Sequence, residues 1–207
     1  MIKGYWSILL LGIVALVQLQ MAHAGAIDEA VRRGVLKVGT DPNYVPFEMT
    51  DKQGRVIGFE ADLLEEMGKA LGVTLEWVPV AYTELIPGLL AGRFDLIGSG
   101  MTVTQERNLK LNFSDSFIIV GQTVLLHPRL AGKVSSIEDL NEAGYRIAAA
   151  DGTTGEVAAR RFLGAAQLQS VATAEEGVRQ VVSGEVDAFI HDAPYNLIAL
   201  AKPQNRK

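Results

Sequence analysis

Hydroxyl, glycine and guanidinium groups follow one apolar run of the chain and are residue types that can bind a small carboxylate. They come after the run LIG at 96–98 and are Ser99, Gly100, Thr102, Thr104 and Arg107. Thr104 can cap a short helix over 104–110, and the free N–H groups at a helix start carry partial positive charge. Arg107 offers two parallel donors that match a carboxylate. The alternative is a solvated loop followed by a capped surface helix.

A second polar pair, His191 and Asp192, follows the apolar run AFI at 188–190. The Asp192 carboxylate could bind an ammonium group, or it could cap the helix that begins after it. His191 could donate to a ligand, bind a metal or pair with a nearby carbonyl, but one histidine without cysteine does not predict a metal site. Because adjacent residues of an extended chain point to opposite sides, the pair does not suit a His–Asp proton relay.

Four more residues could face the same ligand. Thr153 and Thr154, in ADGTTGE, place hydroxyls at a helix start, and Tyr44 and Tyr82 are predicted in loops that follow strands. Either tyrosine could flank the apolar stem of a ligand or could pack half-buried without a binding role.

The elements that must position these side chains alternate between helix-like and strand-like segments, which predicts an α/β architecture. Helices are predicted at 27–34, 60–72, 83–92, 104–110, 135–143, 155–164 and 173–184. Strands are predicted at 35–39, 73–80, 94–98, 145–150 and 185–190, with a hairpin at 47–59 and an extended crossing segment at 116–127. In parallel sheets, ligands bind beyond the carboxyl ends of the strands, where these polar residues fall.

Local patterns refine three of the helices. Leu63, Leu64, Met67 and Leu71 recur at helical spacing, which predicts an apolar stripe on 60–72. Pro87 is expected near the first turn of its helix, where a missing N–H matters least. Thr173 and Glu176 form a predicted capping box at the start of the helix at 173–184.

The segments 89–100 and 181–192 share one plan: a helix, a glycine, two residues to an aspartate, a buried strand and a polar exit. This similarity predicts that the two exits form the two halves of one site. The alternative is that helix–glycine–strand units generally look alike.

Residues 1–24 have the order of a secretory signal, with Lys3, the uncharged run 8–17 and the triplet Ala22-His23-Ala24. We expect cleavage after Ala24; the alternative, a membrane anchor, is disfavoured because Gln18 and Gln20 shorten the apolar run. The segment carries one lysine and no acid, so its removal changes the net charge from −5 to −6. No basic tract is available for nucleic acid. The absence of cysteine excludes disulfides, thiolate catalysis and thiolate metal sites.

Enzyme motifs are weak. GSGMTV lacks the third glycine of a dinucleotide-binding loop, DGTTGE has no lysine for a phosphate-binding loop, and no serine lies in a G-x-S-x-G elbow. We therefore expect no catalytic residue, no metal and no cofactor.

Six ordered motifs carry a family resemblance over about residues 30–200: GTDPNYVPFEM, GFEADLLEEMGKALG, AYTELIPGLLAGRFDLIGSGMTVTQER, NFSD, DGTTGE and VDAFIHDAPYN. They resemble the polar amino-acid-binding proteins of ABC importers, bacterial extracellular solute-binding family 3. The resemblance implies a two-lobed type II periplasmic-binding-protein fold of class α/β, each lobe a sheet flanked by helices. Its expected divisions are a signal at 1–24, a first lobe at 25–115, a hinge at 116–127 and a second lobe at 128–207.

The resemblance also implies residue roles. Arg107 would pair with the α-carboxylate of an amino acid, helped by Thr102 and by groups at Ser99, Gly100, Thr153 and Thr154. In the opposite lobe Asp192 would hold the α-ammonium, with His191 beside it. Tyr44 and Tyr82 would sandwich the stem, and Asp41 would lie near the side-chain end.

The implied function is capture of a polar amino acid in the periplasm and delivery to an ABC permease, by a protein expected to be a monomer. Gly100, Thr102 and the His191-Asp192 pair resemble the glutamine-binding branch, although Ala150 stands where that branch can place a lysine. Glutamine is therefore the preferred ligand, with basic and acidic amino acids left open. The alternatives are a dehydratase on the same scaffold, with Asp41, His191 or Asp192 transferring protons, and a sensor module or inactive fragment. The family's return segment to the first lobe is missing after the helix that follows Asp192, so a truncated reading frame, a fragment or a shortened variant is expected.

Overall fold

The computed structural model describes residues 25–205; the predicted signal at 1–24 lies outside them. The helices are α1 (Ala26–Arg33), α2 (Phe59–Leu71), α3 (Tyr82–Leu90), α4 (Gln105–Asn108), α5 (Thr154–Phe162), α6 (Ala174–Ser183) and α7 (Ala193–Ala201). The strands are β1 (Val35–Thr40), β2 (Asn43–Tyr44), β3 (Glu48–Thr50), β4 (Val56–Ile57), β5 (Thr74–Pro79), β6 (Leu96–Ile97), β7 (Gln122–Leu126), β8 (Arg146–Ala150), β9 (Gln167–Val171) and β10 (Ala188–Asp192). No helix within 25–205 is long and apolar enough to cross a membrane.

The first lobe contains a parallel sheet in the order β5-β1-β6 and a separate antiparallel sheet in the order β2-β3-β4. Leu36 and Val38 of the central strand β1 are fully buried and pack with Ala30 of α1 and Leu64 of α2. The predicted hairpin forms as β3 and β4. Its turn is closed by the Asp51 carboxylate, which accepts the backbone N–H groups of Gln53 and Arg55.

The second lobe contains one four-stranded sheet in the order β7-β10-β8-β9. The central strand β10 runs parallel to β8 and antiparallel to β7. Phe189 of β10 packs against α6 and α7 on one face, and Ile190 packs with Ala159 and Leu163 near α5 on the other. Burial on both faces explains why β10 reads as a continuous apolar run. Together the two lobes form the expected α/β fold with sheets flanked by helices.

Several predicted elements differ from the structure. The predicted helix at 135–143 is wrong: only a short 3₁₀ turn, Glu138–Leu140, forms. The Asp139 carboxylate accepts the N–H groups of Ser135 and Ser136, and this local capture offers the backbone a turn in place of a helix. Strand β10 begins at Ala188 instead of residue 185 and extends through Asp192, so the polar pair belongs to the strand itself.

Two local predictions on helices of the first lobe also need correction. Pro87 lies in the interior of α3, because the helix already begins at Tyr82. On α2, Leu63 is exposed and Glu60 is buried, because Glu60 turns toward a polar cluster described below.

The predicted crossing segment at 116–127 is a regular strand only from Gln122 onwards. Before β7 the chain has no regular structure, and its apolar side chains stay exposed; Ile119 is 93% exposed. The expected lobe boundaries on either side of this segment stay predictions.

Candidate functional site

A cavity of about 50 Å³ lies between the two lobes, at the carboxyl ends of β1, β6, β8 and β10. The predicted site residues that line it are Asp41, Tyr44, Tyr82, Ser99, Gly100, Thr102, Thr153, Thr154, His191 and Asp192. The residues that sequence analysis missed include Asn43, Glu48, Gln122 and Asp151. The position agrees with the general rule for ligand sites in parallel α/β sheets.

Asp192 ends β10 and is only 8% exposed. Its Oδ2 accepts a hydrogen bond from the Tyr44 hydroxyl of the first lobe, and its Oδ1 accepts one from the Gln122 amide of the second. The side chain does not cap α7, which was the simpler alternative. Among the ion pairs within residues 25–205 none involves Asp192. It is thus a buried carboxylate that two neutral donors hold in place.

Arg107 lies in an adjoining cavity of about 310 Å³, which shares Tyr82 and Thr154 with the first. Its guanidinium donates to the carbonyl of Thr102 at 2.8 Å and, across the lobes, to the carbonyl of Gly152 at 3.0 Å. It also lies 5.8 Å from the centre of the Tyr82 ring. The described ion pairs of residues 25–205 do not include Arg107 either. In the part of the chain that the structure describes, Arg107 is therefore a cation near the cleft without an anionic partner.

The predicted hydroxyls divide into two groups. The Ser99 hydroxyl donates to Glu48 at 3.1 Å and accepts the backbone N–H of Asp41 at 2.9 Å. Thr153 caps α5: its hydroxyl donates to the carbonyl of Ala150 and accepts the N–H of Glu156. Both hydroxyls are thus used by the protein itself, and they support the shape of the site.

Thr104, Thr102 and Thr154 differ in what they can still offer. Thr104 caps α4 by accepting the Arg107 backbone N–H at 3.2 Å, as its spacing predicted. The Thr154 oxygen accepts a hydrogen bond from Gln122 at 3.1 Å, so its proton remains available to donate. Thr102 lines the cavity with an exposed side chain.

Gly100 is required by the site for a steric reason. It has a φ of 53°, and a Cβ at this position would lie 2.5 Å from Cε1 of the Tyr44 ring. Its N–H donates to the Glu60 carboxylate at 2.6 Å. The glycine thus allows Tyr44 to lie close against the end of β6.

Two buried carboxyl groups, Glu48 and Glu60, support this segment. Burial raises the pKa of Glu48 to about 10, with the neighbouring Glu60 adding to the rise. Burial also raises the pKa of Glu60, but hydrogen bonds from the N–H groups of Gly100 and Ser99 favour its ionised form. We therefore assign the shared proton to Glu48. Neither residue was found from the sequence; the position of Glu48 in an apolar hairpin strand was the available signal.

His191 is 8% exposed and packs among aromatic rings. The ring centres of Phe189 and Tyr195 lie 5.5 Å and 4.8 Å away, and Tyr44 meets it edge-on at 5.5 Å. Burial lowers the pKa of His191 to about 4, so the ring is neutral near neutral pH. Within residues 25–205 its Nδ1 has no hydrogen-bond partner.

Comparison with known sequences identifies the family. The profile of bacterial extracellular solute-binding proteins, family 3, matches residues 36–195. This chain belongs to that family. A relative of the solute-binding protein is the probable histidine-binding protein of Campylobacter jejuni, which is 32% identical over 81% of the chain. The chain spans 63% of that relative's length.

Two crystal structures resemble the solute-binding protein closely. The ancestral amino acid-binding protein AncCDT-1, described as a precursor of cyclohexadienyl dehydratase, is 42% identical with a TM-score of 0.82, covering 84% of this chain and 78% of its own. The putative binding component of an ABC transporter from Wolinella succinogenes, complexed with lysine, is 45% identical with a TM-score of 0.78. The match covers 83% of this chain and 73% of that one.

Proposed function

We propose that this solute-binding protein binds a free amino acid between its lobes. The proposal rests on one observation: Arg107 and Asp192, neither of which forms an ion pair within the described residues, belong to opposite lobes and line adjoining cavities. An amino acid carries one carboxylate and one ammonium, so it matches both groups. Tyr82 and Thr154, which border both cavities, would contact the part of the ligand between its two charges.

The energetics favour a zwitterion. A buried carboxylate without a cation is costly, and a ligand that supplies the cation relieves that cost. Bidentate bonds from arginine to a carboxylate are stronger than its bonds to backbone carbonyls, because both partners are charged. The ligand would therefore replace the Tyr44 hydroxyl at Asp192 and the carbonyls at Arg107 with charged partners.

The remaining donors and the tyrosine rings complete this arrangement. The hydroxyls of Thr102 and Thr154 would donate to the ligand carboxylate beside Arg107, at the start of α5. The rings of Tyr44 and Tyr82 would flank the stem. Ser99 and Thr153 would act through the loops and helix they brace, because their hydroxyls are already hydrogen-bonded.

The charge of the cleft favours a ligand with a cationic side chain. The main cavity is lined by the acidic residues Asp41, Asp151 and Asp192 and by Glu48, which holds a proton and carries no charge, with no lysine or arginine among its described lining residues. The relatives named for histidine and for a lysine complex agree with this class. Glutamine is the second candidate ligand, since its amide could bind Asp41 and Asn43. Because the family implies a permease partner, we also propose that the protein delivers its ligand to an ABC permease from the periplasm.

A dehydratase is the second candidate function. It is favoured by the likeness to a precursor of cyclohexadienyl dehydratase and by Glu48, a carboxyl group that lines the cavity and holds a proton. Turnover of prephenate-like acids would identify it, whereas binding without turnover would support the transport protein.

Calorimetric titration of residues 25–207 with each of the common amino acids tests the proposal. We expect saturable binding of one class, with affinity lowered about 100-fold or more in Arg107→Ala and in Asp192→Asn, because each loses a charged partner of the ligand. Arg55→Ala is the matched control, since Arg55 pairs with Asp51 on the exposed hairpin turn. Unchanged affinity in both site variants, in proteins that remain folded, would contradict the assignment.

A further inference from the structure

Gln122 connects both ends of the proposed ligand site within the second lobe. It is the first residue of β7 and stands directly opposite Asp192 in the antiparallel register with β10. Side chains opposite each other in such a pair lie on the same face of the sheet. Its Nε2 donates to Oδ1 of Asp192 and, at 3.1 Å, to the hydroxyl oxygen of Thr154.

The chemistry of an amide suits this position. A primary amide has two N–H donors and no charge, so it can orient a carboxylate without neutralising it. The negative charge of Asp192 therefore remains for a cationic group of the ligand to neutralise. Because the Thr154 oxygen accepts from Gln122, the Thr154 proton must point elsewhere, and the ligand carboxylate is the acceptor that the proposed function supplies. One amide thus prepares an acceptor for the ammonium and a donor for the carboxylate.

Gln122 differs from Tyr44, the other donor to Asp192, in its place in the fold. Tyr44 belongs to the first lobe, so its bond to Asp192 depends on how the lobes are arranged. Gln122, Asp192 and Thr154 belong to the sheet of the second lobe or to the helix packed on it. The bonds that join these three side chains therefore involve no group of the first lobe.

We infer that Gln122 is a positioning residue that holds Asp192 and Thr154 ready for the ligand and makes the α-ammonium group a requirement for tight binding. The inference rests on the proposed function, because it assigns the ammonium to Asp192. Its consequence is selectivity: the site should discriminate an amino acid from the same molecule without its α-amino group, and this discrimination should depend on Gln122.

The test compares Gln122→Met with the wild type. Methionine has a similar length and shape but no N–H donor, so both bonds from residue 122 are lost while its packing is largely kept. Calorimetry would measure L-lysine against ε-aminocaproate, L-arginine against δ-guanidinovalerate, and L-glutamine against glutaramate. We expect about 10-fold to 100-fold weaker binding of the amino acid in the variant, and a much smaller change for its des-amino analogue.

Gln169→Met is the matched control, because Gln169 is exposed on β9 of the same sheet. It should bind like the wild type. Should Gln122→Met fail to fold, Gln122→Ala removes the same donors. Equal losses for the amino acid and its analogue, or no loss at all, would overturn the inference while the proposed function stands. Absence of amino-acid binding in the wild type would instead overturn the proposed function.

Discussion

At the scale of single residues, Gly100 combines a backbone conformation and a close contact that a larger residue cannot reproduce. Its positive φ favours glycine, and the ring of Tyr44 occupies the space of a side chain. The two effects can be separated because Gly54, in the hairpin turn, also has a positive φ of 79° but has no atom within 4 Å of the position of a Cβ.

We predict that Gly100→Ala weakens amino-acid binding, because the methyl group displaces Tyr44 from the cavity. Gly54→Ala should leave binding unchanged and lower the free energy of unfolding by about 1 to 2 kcal/mol, the cost of a left-handed conformation for alanine. Denaturant unfolding and calorimetric titration of both variants would measure this. Equal effects on binding would show that backbone strain, and not contact with Tyr44, explains the glycine.

Residue roles that depend on neighbours in the sequence were predicted well, and roles that depend on the fold were not. The caps by Thr104 and Thr173 follow from local spacing and are found. The predicted capping box forms only in part, because the Glu176 carboxylate accepts the N–H of Ala172 and not that of Thr173. Ser99, a predicted ligand residue, donates its hydroxyl hydrogen bond to Glu48, which is 51 residues away in the sequence. Gln122 meets Asp192 only because β7 pairs with β10.

At the scale of elements, the pair Glu48 and Glu60 joins the hairpin strand β3 to the helix α2 and to the end of β6. The folded protein keeps a proton on Glu48 up to about pH 10, whereas the unfolded chain loses it near pH 4.5. Between these values the folded state binds more protons than the unfolded state, so the free energy of unfolding falls as the pH rises.

We predict that Glu48→Gln stabilises the protein above neutral pH by about 1 to 3 kcal/mol, because glutamine keeps a donor for Glu60 and an acceptor for Ser99 without titrating. Its stability should also vary less between about pH 7 and about pH 9. His191 does not affect stability in this range. Its lowered pKa makes the folded state less stable only below about pH 6.5, where the histidine of the unfolded chain takes up a proton. Denaturant unfolding at several pH values measures the free energy of unfolding of the variant and the wild type. Glu65→Gln, on the exposed face of α2, is the control. A wild-type stability that rises with pH here would argue against the shared proton.

Elements were predicted most reliably where periodicity and a terminal glycine agree. Gly34 and Gly72 end α1 and α2 in left-handed conformations, as their positions suggested. The prediction of a helix at 135–143 was wrong because the Asp139 side chain accepts hydrogen bonds from backbone N–H groups in this segment. The prediction that Leu63 belongs to the buried stripe of α2 was wrong. The face of α2 that points inward is set by the buried polar cluster at Glu60 as well as by the apolar side chains.

At the scale of the whole molecule, the cavity of about 50 Å³ between the lobes adjoins the larger cavity of about 310 Å³ that contains Arg107. The bonds from Tyr44 to Asp192 and from Arg107 to Gly152 cross between the lobes there. The proposed ligand would break both bonds when it pairs with Asp192 and Arg107, and their loss would let the lobes separate. Two lobes joined through a segment with little regular structure before β7 allow such a movement.

We predict that export removes residues 1–24, because their charge and apolar pattern match a secretory signal. Expression of the full sequence in a Gram-negative host, followed by intact-mass measurement of the periplasmic fraction, should give a protein that begins at Gly25. A lysine placed in the apolar run, Leu11→Lys, should keep the precursor in the cytoplasm. A periplasmic protein that retains Met1 would contradict the expected cleavage after Ala24.

The exposed Ile119 has a practical consequence. It borders a cavity that also reaches Tyr44 and Asp192, so the proposed displacement of the tyrosine by a ligand would change its surroundings. The sequence contains no cysteine, so Ile119→Cys would give the molecule a single thiol for a fluorescent dye. The labelled protein would then be an optical sensor whose colour or brightness reports amino-acid concentration directly, without a transporter or a membrane.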